Sequence, residues 1–277
     1  MSKFEILCVT MHQHDFSKIK EMNVHSNIVF ANQADSTSYV EEEYEGHKVK
    51  MITTSTRGVG NNRNLSLIYA SADICLLSDD DMNYVDNYEE ITLNAFKKLP
   101  NADVIIFNIE STDKAGLRQP KQITRVAKFR WWSRNPYGGP RIAFRLKSIR
   151  NKNIWFTQLF GGGAKYSHGE DTMFISDCLS NGLNIFLVPE LIGYVDYGVS
   201  TWYDGYNEKV LFDQGALLAA NHKWLYRFLY KLYFAYRIRK RSKQPYFKRI
   251  MWMKRGELGY KTGISYDEYL KKCDERY

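Results

Sequence analysis

The 277-residue chain has no apolar run near the roughly 18 residues that a bilayer span requires. A helical membrane channel or transporter is therefore excluded as a class. The first residues, "MSKFEILCVTM", place Glu5 inside a short apolar run. They read as a first β-strand and not as a signal peptide. Four cysteines, Cys8, Cys75, Cys178 and Cys273, are scattered without a CxxC pair or metal-ligand spacing. A disulfide scaffold and a zinc module are both set aside. Cys8 and Cys75 lie in strand-like runs and read as small buried hydrophobes, compatible with a reducing cytosol. There is no internal repeat and no low-complexity linker. Acidic residues are absent from Gln214 to Gly256, a segment that holds twelve Lys and Arg. The formal charge of +8 thus hides a division. Without that segment the body is mildly acidic, and the tail is strongly basic, as expected of a tail that meets an anionic surface.

What is present is ordinary for a globular protein: 44% hydrophobic and 25% charged residues, with tyrosine unusually common at 20 copies. The apolar, β-prone runs are "FEILCVTM", "NIVFAN", "KVKMIT", "ADICLLS" and "ADVIIFNI". "NNRNLSLIYASA" and "DNYEEITLNAFKKL" between them predict helices, the second ending at Leu99–Pro100. Alternating strands and helices predict an α/β fold with a mainly parallel sheet flanked by helices. "NPYGGP" reads as a turn and "RIAFRLKSI" as a further strand. A helix is expected from Gly169 to Leu179, closed by Asn181–Gly182, then a strand from Ile185 to Val188. The expected organisation is a catalytic domain over 1–213, divided near residue 110, followed by a basic, aromatic helical tail over 214–277.

The run Ile74–Leu77 leads directly into Asp79, Asp80 and Asp81. Two unit charges 4 Å apart repel by about 4 kcal/mol at an effective dielectric of 20. Solvent or a cation must offset such a cluster. Ligands of parallel α/β sheets bind at the carboxyl ends of the strands, where this triplet falls. Carboxylates there suit Mg²⁺ or Mn²⁺ shared with substrate phosphates. In "TRGVGNNRN", Gly58 and Gly60 permit a tight turn, and Asn61 or Asn62 can cap the following helix. Helix N-termini favour phosphates, and Arg57 and Arg63 can reach a diphosphate. "SHGEDTMFISDCLSNG" sets Glu170 and Asp171 at a helix start, where acids are favourable in any case. Gly161–Gly163 would let backbone approach a sugar or a loop close, the alternative being a simple turn; Trp202 and Tyr206 suit stacking on a sugar ring, the alternative being a place in the core.

"ICLLSDDDM" resembles the DxD motif of nucleotide-sugar-dependent glycosyltransferases of the GT-A fold, family 2 in particular. "STRGVGNNRNLSLIYASADI" is similar to the Asn/Arg-rich helix start before that motif, and "SHGEDTMFISDCLSNG" to the downstream Glu-Asp motif. The resemblance covers about residues 4–215. It implies a metal-dependent, inverting sugar transfer of the kind that builds bacterial surface polysaccharide, from a UDP-linked donor. By that resemblance Asp79 contacts the ribose and Asp81 holds Mn²⁺ or Mg²⁺; a one-residue shift of register makes Asp80 the main ligand. Arg63 and Asn64 face the nucleotide-sugar, with Arg57 beside them. Thr10 borders the base, and Asp35, with Asn32 and Gln33 as alternates, recognises it. Asp171 is the base, and Glu170 orients it or binds acceptor hydroxyls. The rival classes are a nucleotidyltransferase, which releases pyrophosphate, and a non-catalytic sugar-binding relative.

In the tail, Leu225, Phe228, Leu229, Leu232 and Tyr236 recur at helical spacing, and Lys223, Arg227 and Lys231 form a second stripe. Pro245 breaks the segment. A basic helix with an aromatic face suits an interfacial anchor on anionic lipid through residues 222–255. The alternative is a helix packed on the body. The expected partners are the donor, a saccharide or lipid-linked acceptor and the cytoplasmic face of the cell membrane. No nucleic-acid-binding module is recognisable.

Overall fold

The computed structural model describes residues 3–112, 119–130, 137–196, 206–221 and 224–274, the side chains of 224 and 225 excepted. The chain divides into two compact units. The first comprises 1–157 and 171–199, the second 158–170 and 200–277. The boundary expected at 213 falls inside a helix of the second unit, because the apolar pattern of that helix runs unbroken across it.

The first unit is built on one ten-stranded sheet. Its opening elements are β1 (Phe4–Met11), α1 (Lys18–Glu21), β2 (Asn27–Gln33), β3 (Ser38–Tyr44) and β4 (His47–Thr54). There follow α2 (Val59–Tyr69), β5 (Ile74–Asp79), β6 (Met82–Tyr84), α3 (Tyr88–Lys98) and β7 (Val104–Ser111). The later elements are β8 (Ala127–Phe129), β9 (Ile142–Arg145), α4 (Leu146–Asn151), α5 (Glu170–Ser180) and β10 (Ile185–Val195). The strand order is β3-β4-β2-β1-β5-β9-β7-β10-β6, with β8 paired to β10. Strands β4, β2, β1 and β5 are mutually parallel, as are β7 and β10. Strand β9 runs antiparallel between β5 and β7. The sheet is thus more mixed than the expected mainly parallel one. The expected strand over Arg141–Ile149 also stops at Arg145 and turns into α4. The expected strand over Ile185–Val188 continues through Pro189 to Val195.

Alternation decides which side of the sheet each residue covers. Ile6 and Cys8 join Ile28, Phe30, Tyr84, Tyr88 and Phe96 on one face, under α3. Leu7, Val29, Cys75 and Leu77 join Leu67 of α2 and Phe174, Ile175 and Cys178 of α5 on the other. Helices α2 and α5 therefore share a face, and both begin at the carboxyl end of the parallel strands. Cys8, Cys75 and Cys178 are buried and none of the four cysteines is bonded to another. Edge strand β3 is exposed along its whole length.

The second unit is helical: α6 (Glu208–Asn221), α7 (Trp224–Arg237), α8 (Tyr246–Thr262) and α9 (Tyr266–Asp274). Helices α6 and α8 approach so closely that glycine is required at the contact. A Cβ on Gly215 would sit 1.9 Å from the Met253 carbonyl oxygen, and one on Gly256 would sit 1.8 Å from that of Phe212. Backbone cannot yield as a side-chain tip can. Gly256→Val should therefore cost about 3 kcal/mol, the upper part of the range for overpacking. Denaturant unfolding monitored by tryptophan fluorescence measures it, and an unchanged midpoint would contradict the packing.

Candidate active site

The carboxyl ends of β1, β2 and β5 carry the residues that the sequence singled out. Strand pairing sets Val9 beside Asp79. Thr10 and Asp80, the next residue on each side, then meet, and the buried Thr10 hydroxyl donates to Asp80 Oδ2. Asp79 Oδ1 takes a hydrogen bond from Arg63 Nη2 at 3.2 Å. The third aspartate differs from its neighbours. Asp81 Oδ1 is buried and has no hydrogen-bond partner. Burial and the charges of Asp79 and Asp80 push the Asp81 carboxyl up to about 7. Burial also lifts Asp79 to about 6, opposed by Arg63 and reinforced by Asp171 and Asp80.

Arg63 links this cluster to the second acidic motif. It sits one turn before Leu67, on the buried side of α2, and its side chain is 3% exposed. Nη2 faces Asp79, while Nη1 lies 3.2 Å from Asp171 Oδ1. Asp171 shares its helix stripe with Phe174, Ile175 and Cys178, spaced at three, four and seven residues, so it is turned toward the sheet. Its other oxygen, Oδ2, accepts the Gly139 N–H at 2.7 Å. Gly139, like Gly215 and Gly256, is required by a close approach: a Cβ there would lie 2.0 Å from Arg63 Nη1.

The remaining predicted residues fall into three groups. Asn64 exchanges two hydrogen bonds with the Phe156 backbone, at 2.9 and 2.8 Å, and so clamps that segment instead of facing outward. Asn32 is fully buried, and its amide binds Gln13 N and O and Thr53 Oγ1. It holds the loop after β1. Gln33 Oε1 accepts from Gly58 N at 2.9 Å, at the φ = +104° start of α2. Asp35 and Arg57 pair with each other at the exposed rim. Glu170 lies in the second unit, where its carboxylate takes the Gly169 N–H at 3.1 Å. Asp171 itself meets Arg63 and the Gly139 N–H, two contacts with no counterpart in the sequence reading. The only local signal was the Gly-Gly-Pro of the expected turn.

Within the second unit, Gly161–Gly163 forms a hydrogen-bonded turn, with Gly161 N donating to Tyr166 O at 2.8 Å. His168 is half-buried beside Gln214, and burial lowers its pKa. Tyr206 packs its ring on Phe234, while Trp202 lies outside the described residues. Among the described residues no three His, Cys, Asp or Glu side chains are grouped to hold a metal by themselves. The unpartnered Asp81 oxygen nevertheless fits a cation that takes one or two protein carboxylates and completes its shell from phosphates.

A layered mixed sheet with β9 reversed at its centre, and acids at the ends of β5 and the start of α5, defines a glycosyltransferase of the GT-A fold. The chain belongs to glycosyl transferase family 2, whose model matches residues 19–158. Family membership sets aside the nucleotidyltransferase and the non-catalytic readings. No curated protein matches the chain. Among solved structures it is similar to S. aureus TarS 1–349 in complex with UDP, at 13% identity and a TM-score of 0.60, over 95% of this chain and 93% of that one. The same TarS fragment in complex with UDP-GlcNAc gives 13% identity and 0.56 over the same shares. A longer TarS structure gives 12% identity and 0.58, over 86% of this chain and 44% of that one.

The raised carboxyls set a pH dependence. A carboxyl with a folded pKa above its unfolded value binds its proton more tightly when folded. Its contribution is fully present below the unfolded value and is lost as pH rises through the folded one. In EDTA, stability should therefore fall between about pH 4 and 7. Asp81→Asn should remove most of that slope and raise stability at pH 8 by about 1–2 kcal/mol, solvent at the rim screening the remainder. A melting-temperature series over pH 4–8 in EDTA measures both slopes; identical profiles for the two proteins would contradict this.

Proposed function

We propose that this glycosyltransferase moves a sugar from a UDP-linked donor to an acceptor hydroxyl with inversion, in cell-surface polysaccharide synthesis. The observation that carries the reading is the pairing of an unpartnered Asp81 oxygen with a doubly anchored Asp171 at the same end of one sheet. Asp81, with Asp79 or Asp80, would hold Mn²⁺ or Mg²⁺. When bound, the cation supplies Lewis-acid neutralisation of the departing diphosphate. The protein's own residues do the rest. Asp171 takes the proton of the acceptor hydroxyl as its oxygen bonds to the anomeric carbon. The bond from that carbon to the diphosphate oxygen breaks, and the nucleoside diphosphate leaves with the electron pair. Arg63 and the Gly139 amide fix the direction in which Asp171 presents its remaining lone pairs. Arg57 and Asp35, paired at the rim, stand where a nucleoside would reach the end of β2 and the start of α2.

The acceptor is a saccharide or a lipid-linked saccharide, met by the second unit at the cytoplasmic face of the membrane. Among the described residues no helix is long and apolar enough to cross a bilayer. Helix α7 instead turns its aromatic face outward: Tyr226, Phe228, Leu229, Tyr233 and Tyr236 are between 45% and 58% exposed. Its inner face is Phe234 and Ala235, continued by Ile238. Of the expected apolar stripe, Leu232 is half-buried and the Leu225 side chain lies outside the described residues. The expected basic stripe is corrected. Arg227 and Lys231 pair with Glu257 of α8, leaving Arg237, Arg239, Lys240 and Arg241 to meet anionic headgroups. Lys223 lies outside the described residues.

Two experiments test these proposals. UDP with Mn²⁺ at 100 times its Kd should add about 2.7 kcal/mol of stability, a shift of several degrees that EDTA abolishes. GDP, CDP, dTDP and ADP should shift it less; no shift with any diphosphate would remove the donor assignment. Asp171→Asn should lower transfer by about 10²–10⁴-fold while that nucleotide shift persists. For the tail, Phe228→Glu with Leu229→Glu should weaken sedimentation with phosphatidylglycerol vesicles by about tenfold or more, two buried apolar side chains being worth several kcal/mol. Equal sedimentation of variant and parent would reject α7 as the contact.

A further inference from the structure

We infer that Arg63 is a positioning residue for the acceptor-side base, joining Asp171 to the donor-side acid Asp79, and is not a ligand of the donor. The inference rests on the reading of Asp171 as the base. Three observations carry it. The guanidinium is almost wholly buried, with one amino group on Asp79 and the other on Asp171. Nη2 hydrogen-bonds Asp79 while Nη1 stands in ion-pair contact with Asp171, so one planar group touches both carboxylates and limits how they move relative to each other. The site is also shaped around it. Gly139 leaves room for the amino group on Asp171 and simultaneously donates its own N–H to that carboxylate. Finally, the arginine is held from below. Its Cζ lies 5.4 Å from the Phe156 ring, whose backbone Asn64 clamps. The Phe156 ring stacks at 4.3 Å on Phe174, three residues beyond Asp171 on α5. Consecutive residues of α2 thus locate α5 twice, by charge and by packing.

This role predicts a distinctive kinetic pattern. Lys in place of Arg63 keeps the charge but has one ammonium and cannot hold two carboxylates in fixed geometry. Gly139→Ala disturbs the same contact without touching either partner. The added Cβ would meet the far end of the Arg63 side chain, 2.0 Å from Nη1, and the melting temperature shows separately that the fold is kept. The measurements are nucleoside diphosphate release from the donor that stabilises the protein, calorimetric UDP binding with MnCl₂, and melting temperature. Arg63→Lys and Gly139→Ala should each lower kcat by about tenfold or more and leave the UDP Kd within about threefold. In an Asp171→Asn background, Arg63→Lys should lower the residual rate by less than about threefold, because residues that act through one another are not additive. A tenfold rise in the UDP Kd with kcat retained would make Arg63 a donor ligand and overturn the inference. So would a full, multiplicative loss on top of Asp171→Asn. Full activity of Asp171→Asn alone would instead remove the base assignment itself, and with it the role given to Arg63.

Discussion

A single buried guanidinium between two carboxylates organises one end of this sheet. Taking an arginine out of water is costly, and the cost is recovered only where its donors are matched. Here the match comes from the end of β5 and the start of α5, segments separated by about ninety residues. The demand works in both directions. With Asp79 or Asp171 absent, Arg63 would be a buried cation short of a partner. With Arg63 absent, two acids would face each other across a poorly solvated gap. The helices that carry these groups lie on the same face of the sheet and are packed through Leu67, Phe156 and Phe174. Electrostatic need and apolar packing therefore specify one arrangement.

That arrangement is not charge-neutral. Asp79, Asp80, Asp81 and Asp171 converge on the region, with Arg63 bridging the first and last. Thr10 answers Asp80 with a neutral hydroxyl. Asp81 Oδ1 and Asp171 Oδ1 are both buried without a hydrogen-bond partner, and the second faces Arg63 Nη1, so the surplus falls on the Asp81 oxygen. A fold selected for stability alone has no reason to leave that oxygen unmatched. On the proposed reading, a site that receives cationic charge together with phosphate does, since complementarity toward a reacting group is commonly obtained at some cost to the empty protein.

Much of this was legible in the sequence where the signal is local. The apolar run Ile74–Leu77 ending in aspartates announces a strand with acids at its carboxyl end, and Glu170–Asp171 before a periodic run announces a helix start. Strand β9 is shorter than expected because apolar residues recur through "RIAFRLKSI" without a break, and so short a pattern does not separate a buried strand from the helix that follows it. Its reversed direction depends on which strands flank it, which no local pattern encodes. The part played by Gly139 was invisible for a related reason. A glycine needed for a long-range close approach looks the same in sequence as one needed for a turn. Asn32 and Asn64 are expected at the ligand by the family resemblance alone; their long-range hydrogen bonds to Gln13, Thr53 and Phe156 have no local signature.

The outermost strand carries a different kind of information. Strand β3 contributes nothing to either apolar layer, and its free edge offers unpaired amides and carbonyls to any passing strand. It also carries Glu41, Glu42 and Glu43 in succession. Two copies of the chain meeting edge to edge would bring these acids into register against one another. The repulsion works against sheet-to-sheet growth at high local concentration, so the least anchored strand of the domain helps to keep separate molecules separate.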